Sequence, residues 1–173
     1  MASLPVAFRY PRGKGLGVAL EDSLRAIEVG RGEVLREGED VLILAIGSTV
    51  YPSLHAAERL EESGIHAAVI NCRFLKPLDE ELLSRWAEKI GKIVTVEENV
   101  LQGGFGSSVL ELLQQRGLSS IKVKRLGIPD RFVENAPQSL LRKRYGIDED
   151  GIVREAMKMA GERVKSYAAV QRW

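Results

Sequence analysis

The chain has 173 residues, enough for one domain with a full hydrophobic core and short for two. Its 25 Lys and Arg against 24 Asp and Glu give a formal net charge of +1, which excludes the electrostatic footprint of a nucleic-acid or anionic-membrane binder. The single cysteine, Cys72, rules out an internal disulfide, and with only His55 and His66 there is no zinc set.

No apolar run approaches the ~20 residues of a membrane span and the N-terminus carries no signal-peptide core, so the chain reads as soluble and cytoplasmic. Residues 4 to 8, Leu-Pro-Val-Ala-Phe, have the composition of a short strand. Arg9-Tyr-Pro-Arg-Gly-Lys-Gly-Leu-Gly follows as a basic, glycine-punctuated loop. A strand so placed, with no hairpin partner nearby, reads as the end of a larger fold. Strands are then expected near Ala26–Gly30 and Glu33–Arg36, ending in the turn Glu37-Gly-Glu-Asp.

From Asp40 the alternation is regular. Val41–Ile46 is an apolar strand, Gly47-Ser48-Thr49 offers caps, and a helix from Val50 to Ser63 carries Leu54, Ala57 and Leu60 on its apolar side and stops at Gly64. His66–Cys72 is the next strand. Arg73-Phe-Leu-Lys-Pro-Leu-Asp leads to a helix capped by Asp79, with Leu82, Leu83, Trp86 and Ile90 inward and Gly91 as its stop. Ile93–Val96 suits a strand buried on both faces, and after Gly103, Gly104 and Gly106 the residues Phe105, Val109, Leu112 and Leu113 recur at helical spacing up to Gly117. Ile121–Leu126 makes another strand, a short helix runs from Pro137 to Gly146, and Asp148 caps a last amphipathic helix with Ile152, Ala156, Ala160 and Val164 on one face. Patterning weakens beyond Lys165. Strands alternating with helices imply βαβ units and a largely parallel sheet covered on both faces.

Three groups invite chemistry. Gly104-x-Gly106 after a strand has the look of a dinucleotide turn, but Val109 holds the third glycine position and the next strand ends in Lys124, Arg125 and Leu126 without the acidic residue a ribose needs. Glycines that permit a close helix or subunit contact are the competing reading. Glu97 and Glu98 resemble an acid-base pair, yet successive strand residues point to opposite faces, which makes one a helix-cap acceptor and the other a solvent or interface group. Arg9 and Arg12, with Lys14, form a fork suited to a phosphate or carboxylate, against the reading of a solvated basic loop. Cys72 fits a core position, and neither histidine has an evident partner.

Four segments in order, Arg9-Tyr-Pro-Arg-Gly, Arg73-Phe-Leu-Lys-Pro-Leu-Asp, Thr95-Val-Glu-Glu-Asn with Gly103-Gly-Phe-Gly-Ser, and Leu126-Gly-Ile-Pro-Asp-Arg-Phe, carry a resemblance. Together they make the chain similar to the C-terminal portion of the 1-deoxy-D-xylulose-5-phosphate synthase family, and set it apart from transketolase and the β chain of 2-oxo-acid dehydrogenases, which share the fold. The resemblance implies a three-layer α/β/α domain with a mostly parallel five-stranded sheet and one antiparallel edge strand. It implies a homodimeric parent enzyme that uses thiamine diphosphate and Mg2+ to decarboxylate pyruvate and join the two-carbon fragment to glyceraldehyde 3-phosphate. The product feeds isoprenoid, thiamine and pyridoxal synthesis.

The same resemblance divides the chain into residues 1–17, the end of a preceding pyrimidine-binding domain and linker, residues 18–165, the transketolase C-terminal-like domain, and a tail, 166–173. It makes Arg12 a ligand for the phosphate of the acceptor aldehyde, with Arg9 its neighbour. It places cofactor, metal and catalytic groups in earlier parts of the parent, so that the fragment alone is expected to bind neither cofactor nor metal and to be inactive. A non-catalytic assembly subunit of a split transketolase-like or 2-oxo-acid dehydrogenase-like enzyme is the alternative, and a nucleotide-binding regulator a second one.

Overall fold

The computed structural model describes residues 5–10 and 26–161. Five strands, β1 (Glu33–Arg36), β2 (Val41–Ala45), β3 (Ala67–Asn71), β4 (Lys92–Val100) and β5 (Lys122–Ile128), form one sheet in the order β1-β3-β2-β4-β5. All neighbours run parallel except β1, which lies antiparallel on β3 at the edge. The helices are α1 (Val50–Glu62), α2 (Glu80–Ile90), α3 (Phe105–Gln115), α4 (Gln138–Tyr145) and α5 (Glu149–Ala160).

The pleat divides the core in two. Val41 and Ile43 of β2, Val69 of β3 and Val94 and Val96 of β4 pack with Ala56, Ala57 and Leu60 of α1 and Ile152 and Ala156 of α5. Leu42 and Leu44, Ile70 and Ile93 point the other way, onto Leu83 and Trp86 of α2 and Phe105, Val109 and Leu112 of α3. Such residues, buried on both faces of a parallel sheet, produce the continuous apolar runs read in the sequence. Each fully buried Leu, Ile or Val side chain contributes about 1.5–3 kcal/mol.

The helix stops are as expected. Gly64, Gly91, Gly117 and Gly146 adopt left-handed φ, and Asp79 and Asp148 accept the amides of Leu82 and Gly151 as caps of α2 and α5. Five expectations need correction or lie outside the described residues. Residues 5–10 carry no strand: no described element pairs with them, and Val6, Phe8 and Tyr10 stand in solvent. Ala26–Gly30 is not a strand either, because Gly30 turns at φ 77° to fit against Pro77. No side chain of Gly47–Thr49 caps α1; these residues form a 3-10 turn, and the Thr49 hydroxyl lies instead between the carbonyls of Ile46 and Val96, 3.0 and 2.9 Å away, with its one proton to share. The strand expected at Ile93–Val96 continues to Val100, carried on by pairing of Val100 with Ile128. Val164 and the tail lie outside the described residues, as does Leu4.

The segment Arg73–Asp79 proves structural. Arg73 at φ 52° bonds to Glu33 on the edge strand, the Lys76–Pro77 bond is cis, and Asp79 joins two elements by accepting from Leu82 at 3.1 Å and from the Gly32 amide at 3.0 Å. Replacing Asp79 with Ala removes a cap worth about 1 kcal/mol and leaves the Gly32 amide without its acceptor at a further cost of about 1–3 kcal/mol. Urea denaturation of Asp79→Ala should show that combined loss, while exposed Glu88→Ala on the same helix should stay within about 0.5 kcal/mol of wild type.

Candidate functional site

In an open parallel sheet, ligands collect where the chain reverses its direction of travel across the strands. Here that point lies between β2, which leads away to β3, and β4, which follows on the other side. The turn after β2 and the end of β4 therefore face each other at the carboxyl edge. Alternation along β4 sends Ile93, Thr95 and Glu97 toward α2 and α3, and Val94, Val96 and Glu98 toward α1 and α5.

Glu97 is 1% exposed. Its carboxylate accepts the first amides of α3, from Phe105 at 2.7 Å and Gly106 at 2.8 Å, and so caps that helix from inside the fold. The glycines make room for it. A Cβ on Gly104 would stand 2.3 Å from the Val100 carbonyl and 2.4 Å from Glu97 Oε2, and one on Gly106 would meet Thr95 Oγ1 at 2.7 Å. Arg125 closes the loop from outside, donating to the Leu101 carbonyl and to Ser107 Oγ, both at 2.9 Å. A pyrophosphate would need the same amides, so the helix N-terminus that attracted a dinucleotide reading is already filled by the protein's own carboxylate.

Glu98 gathers a second network on the opposite face. Arg142 Nε and the Ser48 hydroxyl bond to its carboxylate, and Gln138 Nε2 lies 3.1 and 3.3 Å from the two oxygens. Arg9 Nη2 donates to the Glu98 backbone carbonyl at 3.1 Å. Burial pushes this carboxyl up, but the bonds from Arg142 and Ser48 and the charges of Arg142 and Arg9 outweigh it, and the group lies below the usual carboxylate range.

Glu97 and Glu98 thus do separate work, one as the helix-cap acceptor expected from the alternation and the other as the hub of a surface network. Arg9 reaches that hub; Arg12 lies outside the described residues. Ser48, Gln138 and Arg142 were not singled out from the sequence, because each is 40 or more positions from Glu98 and no local pattern marks them. Cys72 is buried in the core, and burial, with the Asp79 charge, pushes its thiol up. His55 does have a neighbour, since Nδ1 lies 3.8 Å from a Glu149 carboxylate oxygen.

Among the described residues no three His, Cys, Asp or Glu side chains converge to hold a metal. A diphosphate with its divalent cation needs such carboxylates and a free set of backbone donors. Glu97 takes the two α3 amides that such a diphosphate would need.

Two outcomes test this geometry. A glutamine at position 97 can accept from only one of the two amides and turns an N–H2 toward the other, so Glu97→Gln should lose about 1–3 kcal/mol in chemical denaturation. Glu98 has a folded pKa below its unfolded value of about 4.3. Its pairing therefore stabilises the fold above that value, and the contribution is lost as the pH falls through the depressed one. Denaturation midpoints measured down to about pH 3 should fall less steeply for Glu98→Gln than for wild type.

Comparison with known proteins gives the setting. The sequence model of the family described as transketolase, C-terminal domain, matches residues 30–152. The chain is 59% identical over 148 residues to 1-deoxy-D-xylulose-5-phosphate synthase 1 of Geobacter sulfurreducens, a match covering 86% of this chain and 23% of that protein. It is 50% identical over 161 residues to 1-deoxy-D-xylulose-5-phosphate synthase of Halothermothrix orenii, covering 93% and 25%. The chain thus spans about a quarter of the length of these relatives. A solved structure described as a split gene transketolase, inactive beta4 tetramer, superposes with a TM-score of 0.72 at 41% identity, covering 78% of this chain and 43% of that one. The sheet order, the antiparallel edge strand and these matches agree, and the chain belongs to the transketolase C-terminal domain family.

Proposed function

We propose that this chain is the C-terminal domain of a 1-deoxy-D-xylulose-5-phosphate synthase, a cytoplasmic, homodimeric transferase. The parent condenses pyruvate with glyceraldehyde 3-phosphate with loss of CO2 and supplies isoprenoid, thiamine and pyridoxal synthesis. The observation that carries the reading is identity of 50–59% to relatives of that name over 86–93% of the chain. The four sequence segments quoted above support it, since they are the ones that distinguish this family from other transketolase-like enzymes.

In this reading residues 1–17 belong to the preceding domain and its linker, residues 18–165 form the transketolase C-terminal-like domain, and 166–173 are a tail. Thiamine diphosphate and Mg2+ are held by the rest of the parent, a reading supported by the occupation of the α3 amides by Glu97. The chain's contribution is support for the neighbouring domains and the dimer, together with Arg12 as the ligand of the acceptor phosphate and Arg9 beside it. Arginine suits that role because its planar fork matches phosphate oxygens. The seat of Arg9 at the reversal point of the sheet supports the placement. The exposed side chains of Val6, Phe8 and Tyr10, and of Phe132 after β5, offer apolar surface for the remainder of the parent.

A second reading, a non-catalytic subunit of a split transketolase-like enzyme, is favoured by the likeness to the split gene structure. The full reading frame decides between them: an upstream Gly-Asp-Gly segment in the same polypeptide supports the first, and its presence on a separate gene supports the second. In the full-length enzyme, Arg12→Ala should raise the KM for glyceraldehyde 3-phosphate at least about ten-fold, with a smaller effect on that for pyruvate. The 173-residue chain alone should release no CO2 from pyruvate, and turnover by it would overturn the proposal.

A further inference from the structure

Arg9 takes an acceptor of an unexpected kind. A guanidinium bonds more strongly to a carboxylate than to a neutral carbonyl, and both are offered by the same residue, Glu98. Arg9 nevertheless donates to the carbonyl, at 3.1 Å. The reason is occupancy. A carboxylate has about four lone-pair sites, and those of Glu98 are used: Oε1 by Arg142 Nε and Gln138, Oε2 by the Ser48 hydroxyl and Gln138. Arg142 and Glu98 are both largely covered, each with 20% of its side chain exposed, so the pair is held between α4 and the end of β4. Arg9 spends one N–H on a neutral carbonyl, which among the described residues leaves its other donors for an anion.

We propose that Arg142 is a positioning residue for phosphate binding, which holds the Glu98 carboxylate in its bonded network and offsets its charge so that it neither captures Arg9 nor opposes an incoming phosphate. Resting on the synthase reading, this adds a residue from α4, more than a hundred positions from the arginine loop, to the determinants of acceptor affinity. Arg142 touches no substrate; it acts through Glu98 on Arg9. Without it, the freed carboxylate is the stronger partner for the guanidinium and competes with phosphate for the same donors. The effect is then confined to the phosphorylated substrate.

The test is a double-variant cycle in the full-length enzyme. Arg142→Ala should raise the KM for glyceraldehyde 3-phosphate about ten-fold and change kcat less than about two-fold. Adding Glu98→Gln should bring the KM back toward wild type, because the charge that Arg142 cancels is gone. An unchanged KM in Arg142→Ala, or a double variant as impaired as the single one, overturns the proposal; the latter would make Arg142 a direct ligand. A second arm uses the 173-residue chain and does not depend on the reaction. The Arg9 Nε–H resonance should move in Arg142→Ala and return in the double variant, and a resonance that stays in place in both overturns the link. Absence of synthase turnover by the full-length wild-type enzyme would overturn the proposed function instead, with the resonance arm still deciding whether Arg142 controls Arg9.

Discussion

The buried carboxylate of Glu97, bonded to the first two amides of α3, is the contact on which the carboxyl edge of this sheet depends. A charge 1% exposed is tolerable only because its oxygens meet two aligned N–H donors at the positive end of a helix. That requirement fixes the joint between β4 and α3 and forbids a side chain at Gly104, where a Cβ would run into both the carboxylate and the Val100 carbonyl. It also determines what the helix end cannot do. The donors that would greet a phosphate in a nucleotide-binding turn are spent inside the protein.

The opposite face of the same strand carries a second network of charged and polar side chains. Because the pleat alternates, committing Glu97 to α3 commits Glu98 to the other face, where the turn after β2 supplies Ser48 and α4 supplies Gln138 and Arg142. The chain reverses its course across the sheet between β2 and β4, so this network sits where open α/β sheets keep their ligand crevices. Arg9 joins it from residues that precede the domain core by more than twenty positions. Arg9 is in this way tied to the carboxyl end of a central strand.

The core was legible in the sequence for a simple reason: the runs Val41–Ala45 and Ile93–Val96 are apolar at every position but Thr95, a pattern that only a strand covered on both faces explains. Helix stops were equally plain, since Gly91 and Gly146 follow the last apolar-periodic residue and take the left-handed conformation expected there. Composition misled at residues 5–8 and Ala26–Gly30, because apolar character makes a strand only where a partner strand is present, and among the described residues none is. Thr49 failed as a helix cap for a related reason, its hydroxyl being drawn to the Val96 carbonyl on the neighbouring strand. The site was half visible. The two carboxylates and the arginine fork stand out locally, whereas Ser48, Gln138 and Arg142 are brought to Glu98 by tertiary structure and leave no mark in the sequence nearby.

Whether the glycine joint is a closed internal clamp can be tested on the chain itself. Inorganic pyrophosphate titrated into the 15N-labelled protein should leave the Phe105 and Gly106 amide resonances in place, because Glu97 holds both N–H groups. Saturable movement of those two signals would show that the helix N-terminus is open to phosphate, and would contradict the account.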